Sequence, residues 1–594
     1  MPNKPRYLIT TSDERTWKFD RPVVFLGEWC RTYNRKHIWQ NMDAIVAKPY
    51  GLGLAQKDAD NNEARALEES LLSKLREVLN EHHGVKHNTR FWRIVLGHWL
   101  RRYVDVILNR VKTLELCMQA YEISGTTTYS NINYTLATTD SYSAIWAFNN
   151  NRWNNALDVR ILDLMRVTSF PVEVVEDCTL QGYHFNFIAE PSTLKRTVLK
   201  WSHLQVGKLL SWLARDSDAF IINSYLSKKN EIKLQLALKQ CPQLWISPKH
   251  EVVDKPDKTL RENLAIQFVS QSDNNLESIL SLILFELLPV CFLEGFVNLN
   301  MAVKQQPWPK FPKFIFTSNN FDTDEVFKLW VATKIESGSK YFTGQHGNNY
   351  GTHRYFGQIT PEELTADKFI TWGWTDNLLQ HTPTFLFKVA SRKPENYNPQ
   401  GGLLLIESCL NHRITTWDGT FEFANYFQDQ QHFIKLLKNQ PKQNLTIRLH
   451  SGYKYMDWNE LARWQAFDPS LRIDNGDGPI SELISYSKLV VHSYDSTGIL
   501  ETLSQNIPSL AFWQNGFEHL RDSAKPYYQL LVDAGIVHLS PESLAHKVNE
   551  VWHDLDAWWL RDDVQGARLK FCERYARTSQ NPVRELKRKL LCVD

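Results

Sequence analysis

The sequence predicts an α/β protein: two parallel-sheet domains around a linker, with a helical insertion in the first and helices at the end. Three observations carry this reading. From about residue 313 onward, short apolar runs alternate with amphipathic segments at the pitch of βαβ units, which implies a parallel sheet. The alternation breaks at SRKPENYNPQGG (391–402), where Pro, Asn, Gly and charge make a linker, and then restarts. A chain of 594 residues also has room for roughly two to four domains, each burying a full core.

Near the start, RYLIT (6–10) and PVVFLGEW (22–29) read as short buried strands around a polar turn. ARALEESLLSKLREVLNEHH and TRFWRIVLGHWLRRYVDVILNRV repeat apolar residues every three or four positions, which predicts helices from about 62 to 116. Helices and short strands then mix up to about 300. KFIFTSNNF (313–321), KYFTGQHG (340–347) and ADKFITWGW (366–374) read as strands, with a helix over 324–338. Past the linker, GGLLLIES (401–408), NLTIRLHS (444–451), LRIDNG (471–476), KLVVHSY (488–494) and SLAFW alternate with helices, and the last ~50 residues are helical. The implied boundaries are 1–390 for the N-terminal domain, with its helical insertion at about 62–300, and 401–594 for the C-terminal domain.

The balance of 68 Lys+Arg against 66 Asp+Glu leaves a net charge of +2, which argues against a nucleic-acid binder. The 21 Trp and 22 Tyr fit a carbohydrate-handling cleft and a Trp-rich core equally well. Eight cysteines without a CxxC pair suit thiols in a reducing compartment better than a disulfide frame or a zinc site. The first residues lack the apolar stretch of a signal peptide. The longest apolar run, Leu276–Phe296, is interrupted by Glu277, Glu286, Pro289 and Glu294, and reads as a kinked buried helix instead of a membrane span. These features place the protein in the cytoplasm, with peripheral contact at the inner membrane face left open.

In open parallel sheets, ligands bind beyond the carboxyl ends of the strands, so polar residues there are the candidates. In KLVVHSYDSTGILETL (488–503) a strand runs into Ser493, Ser496 and Thr497 as a helix begins, which makes an anion seat for a phosphate. Glu501 lies one turn deeper on the same face, where a carboxylate suits ribose hydroxyls. Ser496 reads equally as a simple N-cap and Glu501 as a solvated residue. Arg448 and His450 alternate along one strand, with His450 at its end beside Ser451, placed to meet a phosphate or protonate a leaving group.

After another strand, Gln345, His346, Gly347, Asn348, Asn349 and Tyr350 form a polar, glycine-punctuated loop with His346 as a candidate base. It is neither a dinucleotide fingerprint nor a Walker loop. Thr10 and Glu28 end the N-terminal strands; Glu28 is a second candidate base, and equally a partner for Arg31. Acidic triplets at Asp58, Asp216, Asp322 and Asp554 are scattered, and no metal or cofactor is inferred from them.

Together LITTSDERTWKFDRPVVFLGEWCR, GQHGNNYGTHRY, DKFITWGW and IDNGDGPISELISYSKLVVHSYDSTGILETLSQNIPSLAFW resemble, over nearly the whole chain, a bacterial family of transferases from O-antigen and other surface-polysaccharide gene clusters. A more distant similarity reaches GT-B glycosyltransferases that use CMP-activated acids (the Kdo and sialic-acid transferases) and the CDP-glycerol glycerophosphotransferases. That resemblance implies two Rossmann-like domains facing a cleft. His450 then takes the place of the His in a His-Pro motif, Ser451 standing where the Pro would be; Ser493, Ser496 and Thr497 take the phosphate turn. His346-Gly347 resembles the catalytic His-Gly pair of the glycerophosphotransferases.

The implied activity is metal-independent transfer of a sugar, a CMP-linked Kdo or nonulosonic acid, from a nucleotide-sugar donor to a glycan or lipid-linked glycan acceptor in lipopolysaccharide or related polysaccharide biosynthesis. The alternatives are a CDP-glycerol-type polyol-phosphate transferase and a GT-B-shaped sugar-nucleotide 2-epimerase.

Overall fold

The computed structural model describes residues 4–130, 136–166, 170–176, 212–268, 275–355, 359–376, 378–391, 397–409 and 413–592. Three sheets organise them, and every strand pair within the sheets is parallel. The first sheet holds β1 (Arg6–Ile9), β2 (Val23–Phe25), β3 (Ala44–Val46), β4 (Ile123–Tyr129) and β5 (Val172–Val175) in the order β3-β2-β1-β4-β5. The middle sheet runs β10-β9-β8-β7-β6 and is built from β6 (Phe220–Ile222), β7 (Phe314–Thr317), β8 (Lys340–Gly344), β9 (Lys368–Thr371) and β10 (His381–Pro383). The third comprises β11 (Gly402–Ile406), β12 (Leu445–Arg448), β13 (Arg472–Asp474), β14 (Ser487–His492), β15 (Ser509–Phe512) and β16 (Val537–His538), ordered β13-β12-β11-β14-β15-β16.

That third order is the doubly wound 3-2-1-4-5-6 pattern, whose strand order reverses between its first and fourth strands. The first sheet has the same reversal, between β1 and β4. Ile315 of β7 and Tyr341 of β8 enter one core, while Phe314, Phe316 and Phe342 enter another. Both faces of the middle sheet are therefore covered, which is why its strands read as continuous apolar runs.

The helices that position the site are α1 (Leu54–His83), α2 (Thr89–Ala120), α3 (Lys228–Ala237), α4 (Glu325–Glu336), α5 (Pro361–Thr365), α6 (Glu460–Phe467), α7 (Thr497–Ser504) and α8 (Pro582–Leu591). Asn88 caps α2 by accepting from the Phe91 N–H, and Gly84 closes α1 at φ +65°, a left-handed turn that glycine adopts without strain. Helix α2 packs on both α1 and α4, so one core joins the first and middle sheets.

At the far end of the chain α8 returns to the middle sheet. Leu586 and Leu590, four apart on one face, pack beside Ile221 and Leu234, tying the third lobe's tail to the middle lobe. Truncating Leu586 to Ala at this site costs about 2–5 kcal/mol.

The stretch read as a helical insertion, about 62–300, carries β4, β5 and β6 besides its helices. These strands escape a periodicity reading because β4 is Thr-rich, ISGTTTY, and β6 is only three residues long. The polar run TTSDERTW lies past β1 and holds a short 3-10 turn at Glu14–Thr16. Trp92, Trp99, Trp153, Trp372, Trp374, Trp464 and Trp559 are fully buried, so much of the tryptophan content is core. The apolar run from 276 forms a helix, Asn275–Leu287, that ends before Pro289. Among the described residues no helix is long and apolar enough to cross a membrane, and the cysteines are free.

Candidate active site

The carboxyl ends of the third sheet face two neighbours. The turn after β14 bonds to the loop after β8 of the middle sheet, whereas the segments after β11 and β12 bond to residues of the first lobe through Arg413, Asp457 and Asn459. Each crevice thus collects the polar strand ends of two sheets.

In the middle–third crevice, the loop after β8 meets the turn after β14. The backbone N–H of Asn348 donates to Thr497 Oγ1 at 3.1 Å, and Asn348 Nδ2 donates to Asp495 Oδ1 at 2.7 Å. Gln345 anchors the loop from below: its Oε1 accepts from the Trp372 N–H and from Trp374 Nε1, and its Nε2 donates to Gly347 O at 2.8 Å. With every polar atom of that amide in use, Gln345 is a brace, not a ligand contact. Gly351 turns the loop at φ +73°, where an added Cβ would lie 2.3 Å from the Trp374 ring. Asn349 is exposed at the loop's tip, and Gly347 has only Thr497 Oγ1 near its missing Cβ, at 3.8 Å.

His346 sits at the mouth of this loop, bordered by the rings of Phe321 (centroids 5.6 Å apart) and Tyr225 (6.2 Å). Burial lowers its imidazole to about 4, so the ring is neutral at pH 7. Its Nδ1 lies 3.0 Å from the Tyr350 hydroxyl, and that hydroxyl donates to Glu362 Oε1 on α5. A phenol has one proton to give, so Nδ1–H donates to Tyr350 and Nε2 keeps its lone pair. Burial raises Glu362 to about 7. Behind it, His98 Nε2 is 3.4 Å from Glu362 Oε2, and Asp322 is held by Arg102 through contacts of 2.6 and 2.8 Å. Burial opposes ionisation of Asp322, but the Arg102 guanidinium prevails and keeps that carboxyl well below its usual range.

The start of α7 completes the crevice. Ser496 is its N-cap residue in extended conformation, yet its side chain makes no capping bond. The first N–H groups of the helix therefore lack side-chain partners, an arrangement that favours an anion. Glu501 reaches across to Lys388, 3.6 Å from its Nζ, and Lys388 lies over the Tyr225 ring at 5.4 Å. Ser493, by contrast, is spent on the fold. Its Oγ donates to Ile406 O at 2.7 Å and lies 2.6 Å from the Tyr426 hydroxyl, closing β11 against β14.

The first–third crevice holds the remaining candidates. Thr10 is buried, its Oγ1 accepting from Asn155 Nδ2 at 2.8 Å. Glu28 forms a two-point pair with Arg31, at 2.6 and 2.7 Å. Arg448 is buried against Asp474 and donates to Gly478 O at 2.6 Å, while His450, past the strand end, is exposed. The two therefore do not present one face. His450 Nδ1 accepts from the Gly452 N–H at 3.1 Å, which leaves Nε2–H as the outward donor; Ser451 beside it is exposed and opens a 3-10 turn. On the third sheet's side, Glu407 and Glu460 are buried together. Burial raises Glu407 well above the carboxylate range, with Glu460 adding to it, and burial raises Glu460 to about 7.

Sequence reading did not pick out Glu362, Lys388 or Arg102, and noted Asp495 only as part of the polar strand end without giving it a role. For Glu362 one signal existed: Thr360-Pro-Glu-Glu is a capping box that opens a helix, and the structure shows both of its bonds. The others lie far along the chain from the groups they serve and carry no local signature.

No curated protein matches the chain. Among solved structures, the spinosyn rhamnosyltransferase SpnG with its aglycone aligns at 10% identity and TM-score 0.29, covering 78% of this chain and 99% of that one. WaaG, a glycosyltransferase involved in lipopolysaccharide biosynthesis, aligns at 11% identity and TM-score 0.26, covering 63% and 100%. Residues 6–590 match the family model described as LIC12162 family transferase, and the chain belongs to that family of transferases.

Proposed function

We propose that this transferase is a GT-B-type glycosyltransferase working in the middle–third crevice, moving a sugar from a nucleotide donor to a glycan acceptor. The observation that supports it is the meeting of two strand-end loops there: a neutral histidine on one side and an uncapped helix start on the other. The donor phosphate sits at the start of α7 beside Ser496, with Lys388 as countercharge. Glu501, freed from Lys388 by that phosphate, takes the ribose hydroxyls.

The acceptor hydroxyl approaches His346 Nε2. As the sugar–oxygen bond forms, Nε2 takes the proton, and the charge that appears on the ring is carried through Tyr350 to the Glu362 carboxylate. Meanwhile the helix dipole and Lys388 stabilise the departing nucleotide phosphate. Burial holds His346 low in the free protein; a bound phosphate in the same crevice raises it toward the working pH.

By the sequence resemblance, the donor is a CMP-linked acid such as Kdo or a nonulosonic acid, and the product belongs to a surface polysaccharide. Thermal-shift measurements with CMP, CDP, UDP and GDP test the donor, because a nucleotide that binds only the folded state raises Tm. CMP is expected to give the largest shift. A shift confined to UDP or GDP removes the CMP-acid reading, and no shift with any of the four removes the nucleotide site.

A further inference from the structure

Deeper in the same crevice, His353 of the loop after β8, Asp495 of the turn after β14 and His519 of the segment after β15 converge, and the proposed transfer does not use their imidazoles. Nε2 of His353 lies 3.4 Å and Nε2 of His519 3.2 Å from Asp495 Oδ2, and one ligand atom from each of the three lies within 4.8 Å of the others. Around a four-coordinate ion with bonds of about 2.0–2.1 Å, neighbouring ligand atoms stand roughly 3.3 Å apart. The two edges to Asp495 are close to that spacing, the one from His519 being also a hydrogen bond.

His353 Nε2 is buried, and its contact with the Asp495 carboxylate, at 3.4 Å, is long for a hydrogen bond. The rings stand nearly perpendicular, at 81° with centroids 5.1 Å apart, so each directs an edge toward the carboxylate without stacking.

The surroundings hold these groups in place. Arg354 N–H donates to His519 O and Arg521 N–H to Thr352 O, both at 2.8 Å, an antiparallel bridge that sets the two imidazoles side by side. Asp495 is oriented by Asn348 Nδ2 at 2.7 Å and by the Tyr528 hydroxyl at 3.0 and 2.8 Å from its two oxygens, the kind of outer contact that fixes a metal-binding carboxylate. The nearest competing cation, Arg521, donates to His353 O at 3.0 Å and has Asp376 3.8 Å from its guanidinium.

The geometry points to a divalent-cation site at His353–Asp495–His519 that takes Zn2+ or a similar transition ion and pins the loop after β8 to the turn after β14. Two imidazoles and one carboxylate form the donor set of a borderline ion, with a fourth position left for water. The site neither depends on the transfer reaction nor supplies a step in it.

The test is a titration of chelator-treated full-length protein with Co2+ alone and with Zn2+ alone. One Co2+ per chain is expected, with the visible d–d absorption of a four-coordinate ion that Zn2+ bleaches, and Zn2+ is expected to raise Tm. His519→Gln and His353→Gln should each weaken Zn2+ binding at least ~10-fold and abolish the absorption. Wild-type protein that takes up no stoichiometric Co2+ or Zn2+ overturns the site whatever the variants do, and so does absorption that persists in both variants.

Discussion

The two crevices of the third sheet are alike in topology and differ in how their charges are committed. Beside the first sheet, Glu28 is closed by Arg31 and Arg448 by Asp474, and Arg413 lies over Trp29 at 4.3 Å. Backbone and amide contacts also cross this crevice: Arg110 donates to Arg413 O at 2.8 Å, Asn151 to Asp457 at 3.2 Å and the Asn34 N–H to Asn459 at 3.3 Å. Beside the middle sheet, α7 is uncapped and the Lys388–Glu501 pair is long and partly exposed. Unmet groups exist on both sides, since both Glu460 carboxyl oxygens and two Arg413 nitrogens are buried without hydrogen-bond partners beside the first sheet; the middle–third crevice differs in setting an uncapped helix start, which favours an anion, opposite a neutral histidine. Strand-end position alone therefore does not identify a site; the pairing of a neutral base with an anion seat does.

The largest effect expected on this contrast is from His346→Ala, which should lower kcat by about 10²–10⁴-fold while nucleotide affinity stays within about twofold. Steady-state kinetics with an equilibrium binding assay checks it, and wild-type turnover would move the chemistry to the other crevice. Next comes Glu362→Gln. Glu362 rises to about 7 and His346 falls to about 4, so in the wild type kcat/KM should decline as pH drops through about 7, when Glu362 becomes protonated and no longer supports a charged ring. In the glutamine variant that limb should vanish, leaving a lower rate that is flat down toward pH 4–5. A limb that stays near 7 would mean another group titrates.

A smaller change is predicted for Lys388→Ala. Removing a charge-assisted phosphate contact worth about 1.5–3 kcal/mol should raise the donor Kd roughly 10–150-fold, with an effect that shrinks as salt increases. The smallest is Glu28→Gln. Its pair with Arg31 is partly exposed and worth about 0–1 kcal/mol, so activity should remain within about twofold and Tm should shift only slightly. A large loss of kcat in Glu28→Gln would reverse the assignment of the two crevices.

Much of this was legible in the chain before any coordinates. The strands after residue 313, the loop from Gln345 to Tyr350 and the turn from Ser493 to Thr497 follow from apolar periodicity ending in polar residues, a property of neighbours in sequence. The same reasoning grouped Arg448 with His450 by alternation, yet β12 ends at Arg448 and the register of His450 is lost beyond it. It also treated Gln345 and Ser493 as available, because nothing in the sequence reveals that Trp372, Trp374 and Tyr426 arrive to occupy them.

What the sequence by itself determined is the alternation of elements, and with it the carboxyl-end loops where chemistry can sit, since side-chain pattern and turn residues act over a few positions. Only the tertiary structure decided which of those loops face one another, which charges neutralise each other, and that Glu362 stands behind His346 through Tyr350. Those outcomes depend on burial and on partners up to hundreds of residues apart, where desolvation and Coulomb terms are set by the packed interior and not by neighbours along the chain.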